Sequence, residues 1–486
     1  MAQTPGSPAA TRPVKPSTLL MITAGATFLA FLDATVVNVA FPDLREDFPD
    51  ASVATLSWVV SAYAVLFAAL LTSAGRLADV LGRRNLFTVS VLLFTAASLA
   101  CALAPSMEFL IAARAVQGAG AAGMIPASLG IVLHGTPPER RTVAIGLWSA
   151  AGSMAAASGP VIGGLLVEWS SWRAVFYINV PIGLAVAVGA LAKIGNDRPT
   201  SRKLPDPVGS LILTVGIALM VVGLTKATDW GWTEASTLGC LVGGLLLTVL
   251  GVLRSRGREV PAVDTTLWKS HAFASANVVS ALAGAAMFGW LLTGPLFLTA
   301  VWHYSILEAA LAVTPGAVTS AIASITLGKR ATPRVQRVAI AVAMLVFALN
   351  GLFMYAAVGS DPAFLTVWLP AGMIGGAALG TSMTGLSTVA ALSVPPLKFA
   401  TGIGLNTTAR QVGGALGIAA VAAVLAGRGI YTALGYRESF LLTGGLALAA
   451  AAAGLLLLRR SAAAPAAPAA AQPVPAPAVG TAAEPT

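Results

Sequence analysis

Charge is scarce in this chain. Asp, Glu, Lys and Arg make up 10% of its 486 residues, against about 25% in an ordinary soluble domain. Too few charges remain to cover a large water-soluble surface. Cysteine is also scarce. Cys101 and Cys240 fall near apolar runs without motif spacing, which excludes a disulfide framework and a cysteine metal site. Both read as small packing residues. The three histidines, His134, His271 and His303, sit in or near different loops without ligand spacing. No metal site, cofactor or enzyme activity is expected from them. No Walker loop is present, so ATP hydrolysis is not expected to be the energy source.

Apolar sequence fills the space left by charge. Hydrophobic residues are 57% of the chain, and mean hydropathy is +0.83. Runs long enough to span a bilayer recur along nearly its whole length. They predict an all-α polytopic membrane protein with fourteen spans, the tenth interrupted by Pro315 and the twelfth rich in glycine. The first run, about residues 17 to 41, exceeds a signal-peptide core and reads as an uncleaved helix.

The net charge of +10 would suggest nucleic acid in a soluble protein. Here the basic residues follow the spans instead, and no nucleic acid is expected. With the N-terminus inside, only Arg45, Arg173, Lys226, Arg428 and Arg437 of the 29 Lys and Arg fall in outer loops. Arg114 and Arg410 fall inside spans, and all the others lie in inner segments, as the positive-inside rule requires. Both termini are then cytoplasmic.

The chain divides into an N-terminal tail (1–16), a six-helix bundle (17–195), two extra linking helices (196–260), a second six-helix bundle (261–460) and an Ala/Pro-rich tail (461–486). That last tail cannot bury a core and is expected to be disordered. Ile145-Gly146-Leu147 recurs as Ile403-Gly404-Leu405, and Gly159 as Gly417, at one constant offset. Parallel halves around two inserted helices would produce it.

Few residues in the spans can carry chemistry. Asp33 lies mid-span, where a carboxylate costs at least about 2.5–3.5 kcal/mol and should face a cavity or a partner. Out of water a carboxylate gains from neutralisation, which suits it to take and release protons. Its alternative is a structural acid bonded to Thr35 or Asn38. Arg114 needs a partner, for which Asp33 or cavity water are candidates; Gln117 shares its helix face. Gly159, Pro160, Gly163 and Gly164 allow close helix approach and a kink. Asn406 and Arg410, one turn apart, repeat this arrangement beside Gly413 and Gly417 in the second half. Arg410 has no embedded acid near it in sequence. Trp58, Tyr63, Trp148 and Trp290 are candidate cavity aromatics, with Asn38, Gln117, Asn406 and Arg410 as polar lining. Between the second and third runs stands Gly75-Arg76-Leu77-Ala78-Asp79-Val80-Leu81-Gly82-Arg83-Arg84. Asp79 is expected near the start of the third span, where a negative charge suits the helix dipole. Arg83 and Arg84 are expected to pair with acids of the same half, making the loop a latch between helices.

These motifs together resemble the fourteen-span drug:proton antiporter family of the major facilitator superfamily. The resemblance covers about residues 17 to 460. It rests on Leu32-Asp33-x-Thr35-x-x-Asn38-x-Ala40-x-Pro42, the Gly75–Arg84 segment, Arg114-x-x-Gln117-Gly118, and Gly159-Pro160-x-x-Gly163-Gly164. Trp172-Arg173-x-x-Phe176-x-x-Asn179-x-Pro181-x-Gly183 and Asn406-x-x-x-Arg410-Gln411-x-Gly413-Gly414 narrow it to the fourteen-span branch. The resemblance implies two six-helix bundles plus two linking helices in a bacterial cytoplasmic membrane. It further implies proton-driven efflux of hydrophobic drugs or antibiotics by a monomer, with Asp33 as coupling acid and Arg114 modulating it. The energy source would be the proton gradient, without a cofactor. A dedicated exporter of one endogenous metabolite or antibiotic is the alternative. Additional acids in second-half spans, which some exporters of multivalent cations carry, are missing; monocationic, neutral or zwitterionic substrates are expected.

Overall fold

Apolar runs of this length close every backbone hydrogen bond within the helix, the requirement for crossing lipid. The computed structural model describes residues 15–195, 203–329 and 333–461. Among them are fourteen helices long and apolar enough to span. The first six are α1 (Pro16–Asp47), α2 (Ala54–Leu81), α3 (Arg83–Ala102), α4 (Met107–His134), α5 (Pro138–Trp169) and α6 (Ala174–Lys193). Two inserted helices follow, α7 (Pro207–Trp230) and α8 (Ala235–Ser255). The second six are α9 (His271–Ala300), α10 (Ile306–Lys329), α11 (Val335–Ala357), α12 (Phe364–Leu392), α13 (Pro396–Arg428) and α14 (Ala433–Leu455). The expected tails lie almost wholly outside the described residues.

Local chemistry sets the ends. Ser52 and Ser106 cap the first turns at the starts of α2 and α4 by accepting from the Thr55 and Phe109 N–H groups. Between α2 and α3 the chain turns on one residue, Gly82, at φ 106°, a conformation that only glycine adopts freely. The Gly75–Arg84 segment is therefore not a loop. Its residues through Leu81 complete α2, and Arg83 opens α3.

Packing builds two six-helix bundles. In the first, α1 packs on α5, and α4 on α2 and α3; in the second, α9 packs on α13 and α14, and α10 on α12. The inserted helices pack on each other, and α7 also touches α2 and α13. Lys226, expected in an outer loop, is instead buried in α7, where its ammonium donates to Ser57 Oγ at 2.6 Å and Asp229 at 3.0 Å. Leucines and valines such as Val242, Leu245, Leu246 and Leu250 on α8 stay exposed, as lipid-facing side chains should.

Arg76, Arg83, Arg84, Arg141 and Lys398 lie at one end of the helix array, its basic face. The bundles meet near that face. Gly146 on α5 lies against Ser324 and Gly328 on α10, and Gly75 on α2 against Ala400 and Gly404 on α13. The Thr72–Thr408 (2.8 Å) and Ser153–Ser320 (3.1 Å) hydroxyl contacts also join the bundles in this half. Asp264, in the segment before α9, pairs with Lys398 at 2.6 Å. Burial opposes its charge, but hydrogen bonds from Lys398 and Thr266 outweigh that and hold its carboxyl below the usual range.

Candidate functional site

Asp33 sits on α1 with its side chain fully enclosed, facing α4 and α6. A carboxylate there needs its lone pairs filled, and three donors fill them. Arg114 Nη1 approaches Oδ2 at 2.5 Å; Gln117 Nε2 and Asn179 Nδ2 donate to Oδ1 at 2.8 and 2.9 Å. Arg114 is equally enclosed. It donates from Nε to the Val59 carbonyl at 2.9 Å and from Nη1 to Gln117 Oε1 at 2.6 Å. Its guanidinium lies 4.4 Å from the Tyr63 ring centroid and 5.7 Å from that of Phe176. Ser98 on α3 ties the outer shell together. Its hydroxyl accepts from Gln117 and Asn179 and donates to the Phe176 carbonyl.

The expected Asp33–Arg114 pairing is present, and Gln117 joins it by bonding both partners. Neither Thr35 nor Asn38 holds Asp33. The Thr35 hydroxyl bonds back to Phe31 and Leu32, and Asn38 is exposed. Three residues expected as cavity lining are enclosed instead. Tyr63 lies under Arg114 and donates to the Ala30 carbonyl at 3.0 Å. Gln117 is inside the ion-pair network, and Trp148 donates to Ser128 Oγ within the first bundle. Trp58 is half-buried beneath Lys226, and Trp290 packs edge-on against Phe347. Ser98 and Asn179 were not foreseen as site residues. An asparagine inside an apolar span was the available signal, because its amide must find a partner there.

The glycine motif of α5 lies directly on α1. A Cβ at Gly159 would collide with the Thr35 side chain, and one at Gly163 would meet Val36 at 2.9 Å. Both contacts fall within one turn of Asp33, so α5 registers any shift of that part of α1. Gly164 faces open space, and Pro160 lies within the helix.

Asp79 is a second buried acid, in the last turn of α2 rather than at the start of α3. The helix start it serves belongs to the other bundle. Its carboxylate accepts from the Ala400 N–H at 3.3 Å, the Thr401 N–H at 2.7 Å and the Thr401 hydroxyl at 2.8 Å. Those groups open the regular part of α13, where a negative charge meets unsatisfied N–H groups and the positive end of the dipole. Arg83 grips the same carboxylate with Nε and Nη2 at 2.9 and 2.8 Å and donates across the bundles to the Pro396 carbonyl at 2.8 Å. Arg84 donates to the Leu191 carbonyl.

In the second bundle Asn406 donates to Ser280 Oγ at 2.8 Å. Arg410 is 3% exposed, and its Nη1 has no hydrogen-bond partner. Among the described residues no three His, Cys, Asp or Glu gather where they could hold a metal.

Comparison with known proteins agrees with this architecture. Multidrug resistance protein Stp of Mycobacterium tuberculosis is 32% identical over 408 residues, spanning 84% of this chain and 75% of Stp. Cephamycin export protein CmcT of Amycolatopsis lactamdurans is 34% identical over 420 residues, 84% of this chain and 85% of CmcT. Multidrug export protein EmrB of Haemophilus influenzae is 30% identical over 412 residues, 83% and 80% of the two chains. The crystal structure of the human organic anion transporter MFSD10 superposes with a TM-score of 0.68 at 16% identity, covering 91% of this chain and 99% of that one. The same helical fold therefore underlies both. Residues 23–418 match the sequence profile of the Major Facilitator Superfamily, and with fourteen spanning helices in two bundles this multi-pass membrane protein belongs to that family.

Proposed function

We propose that the protein is a proton-coupled antiporter that exports hydrophobic drugs or antibiotics across the bacterial cytoplasmic membrane by alternating access. The observation that carries this reading is the enclosed Asp33–Arg114 pair, with the α5 glycine contact on α1 one turn away. Relatives named for multidrug export and for export of a single antibiotic support the substrate class. They leave room for a dedicated exporter of one antibiotic.

The geometry supplies a route for the coupling in this reading. While Asp33 is ionised, it ties α1 to α4 and α6. A proton on Asp33 removes the negative charge that balances Arg114, and breaking a buried pair from one side costs about 3–5 kcal/mol. That cost favours a different arrangement of α1. The displacement passes through the Thr35 and Val36 contacts to Gly159 and Gly163 of α5. The other end of α5 forms the interface with α10 through Gly146, so protonation biases the contact between the bundles. The closed basic face would be the cytoplasmic one, which makes this an outward-facing state. Arg83 and Asp79 act there as the latch that protonation must help to open. A proton gradient suffices as energy source, and no cofactor is required. A monomer holds the whole network.

Two measurements test the reading. In proteoliposomes with an imposed pH gradient, a panel of lipophilic compounds should be moved against their gradients, and the movement should stop when the proton gradient collapses. Transport that persists after collapse would remove the antiport mechanism. Orientation is tested in intact cells by single cysteines and a membrane-impermeant thiol reagent. Cysteines replacing Lys203 and Lys329 should be shielded, whereas those replacing Asp229 and Asp361 should label readily. Labelling at Lys329 would reverse the topology.

A further inference from the structure

Arg114 and Arg410 are both buried at mid-helix depth, and the protein treats them differently. Arg114 has a carboxylate, an amide oxygen, a carbonyl and an aromatic face arranged around it. Among the described residues no such set is arranged around Arg410. It is enclosed within α13 at mid-helix depth, two residues after the Thr408 contact with α2, and its Nη1 is an unpartnered donor. The guanidinium group cannot discharge itself in a protein. A charged side chain at this depth is costly unless something answers its charge.

No described group of the second bundle supplies the missing charge. Its acids are all engaged or remote. Asp264 pairs with Lys398, Glu308 bonds the Ser305 N–H at the start of α10, Glu438 pairs with Arg428, and Asp361 is exposed between α11 and α12. Asn406, one turn away, spends its amide on Ser280. A Cβ at Gly284 on α9 would collide with the Arg410 carbonyl oxygen and fall 3.0 Å from its Cγ, so this glycine lets α9 lie directly against the backbone that carries the arginine. Gly413 and Gly417 let α13 lie backbone-to-backbone on Ala281 and Ala285 of α9.

We propose that Arg410 is an anion-recognition residue of the transport pathway, pairing with a carboxylate, phenolate or similar compact anionic group of the exported compound. The inference rests on the exporter reading and deepens it: among amphipathic compounds, acids and zwitterions are preferred over cations. Arg410 and Asp33 then divide the work. Arg410 recognises the cargo in the second bundle, while Asp33, already neutralised by Arg114, handles the proton in the first.

The test uses the purified full-length protein and a matched pair of fluorescent probes, pyrenebutyrate and pyrenebutanol, which share their apolar body and differ in charge. Binding is read by fluorescence anisotropy. Wild type should bind the carboxylate more tightly than the alcohol. Arg410→Gln should raise the Kd for pyrenebutyrate at least about tenfold, the scale of a lost charge-assisted hydrogen bond, and leave that for pyrenebutanol unchanged. Arg410→Lys, which keeps the charge, should recover part of the preference. Unchanged pyrenebutanol binding shows that the variant is folded. Equal weakening of both probes, or no preference in wild type, overturns the proposal. A pyrenebutyrate Kd that drops when chloride is replaced by gluconate, with no effect on pyrenebutanol, assigns Arg410 to the inorganic ion and also overturns it. Gradient-driven transport is measured in parallel. A selective loss of carboxylate binding without any proton-driven movement in wild type keeps the anion site and removes the pump. Proton-driven movement with an unaltered Kd in Arg410→Gln does the reverse.

Discussion

Asp33→Asn should abolish gradient-driven efflux, to the level of liposomes without protein, while the purified protein still inserts and folds. The amide oxygen can keep the Gln117 and Asn179 hydrogen bonds that Oδ1 now accepts. The amide nitrogen then faces Arg114 Nη1, donor against donor, and leaves an enclosed cation without its counter-charge. A loss of about 3–5 kcal/mol of stability is expected from that mismatch alone, so reduced transport by itself would be ambiguous. The paired variant Asp33→Asn with Arg114→Gln resolves it. Removing both charges should restore much of the thermal stability, because no unpaired ion remains. It should restore none of the coupling, because no group remains to titrate. Substrate-induced proton release from purified protein is the readout. If either variant released protons as wild type does, the coupling group would lie elsewhere and the α1–α4 network would be structural.

The fold was largely legible because its signal is local. Spanning length, apolar composition and the alternation of basic segments are properties of the sequence itself, and the fourteen helices follow from them. The Asp33–Arg114 pair was legible for a related reason. Each is costly alone in a span, and few other embedded charges could answer it. What remained hidden was the partner chosen across the fold. Asp79 read naturally as serving the helix next to it in sequence. It serves one 321 residues away instead, because only the packing of α2 on α13 brings Thr401 to it. Asn179 was visible as an asparagine in an apolar run, but nothing local indicated that α6 aims it at Asp33. Tyr63 and Trp148 were ambiguous on the same ground. An aromatic ring on a helix can face lipid, cavity or core, and the choice is made by neighbours. The Gly75–Arg84 segment read as a loop because it carries two glycines and four charges. In the structure only Gly82 breaks the helix; Asp79 and Arg83 are absorbed by contacts at the bundle interface, and Arg84 by the Leu191 carbonyl of α6.

Asp79→Ala should shift the protein away from the closed basic face and impair transport without preventing insertion. The substitution removes three hydrogen bonds to the start of α13 and both Arg83 contacts at once. A lost helix cap costs about 0.5–2 kcal/mol, and Arg83, itself buried, loses its counter-charge as well. The contacts to Ala400 and Thr401 bear on the closed arrangement, since α2 and α13 belong to different bundles. Opening the face allows water to reach Arg83 and the helix start, so the cost falls on the closed state. A differential cost of about 3 kcal/mol moves a two-state equilibrium roughly a hundredfold. Asp79→Asn retains an acceptor for the Thr401 N–H but not the ion pair, and should fall between wild type and Ala. The measurement is made at the other interface. Ser153 on α5 and Ser320 on α10 have hydroxyls 3.1 Å apart, so cysteines at both positions report whether the bundles are together there. Neither touches Asp79. If the bundles rock as units, oxidative cross-linking of that pair should drop sharply in Asp79→Ala and less in Asp79→Asn. Cross-linking that stays at the wild-type level, with α13 merely frayed at its start, would reduce Asp79 to a local helix cap and sever it from alternating access.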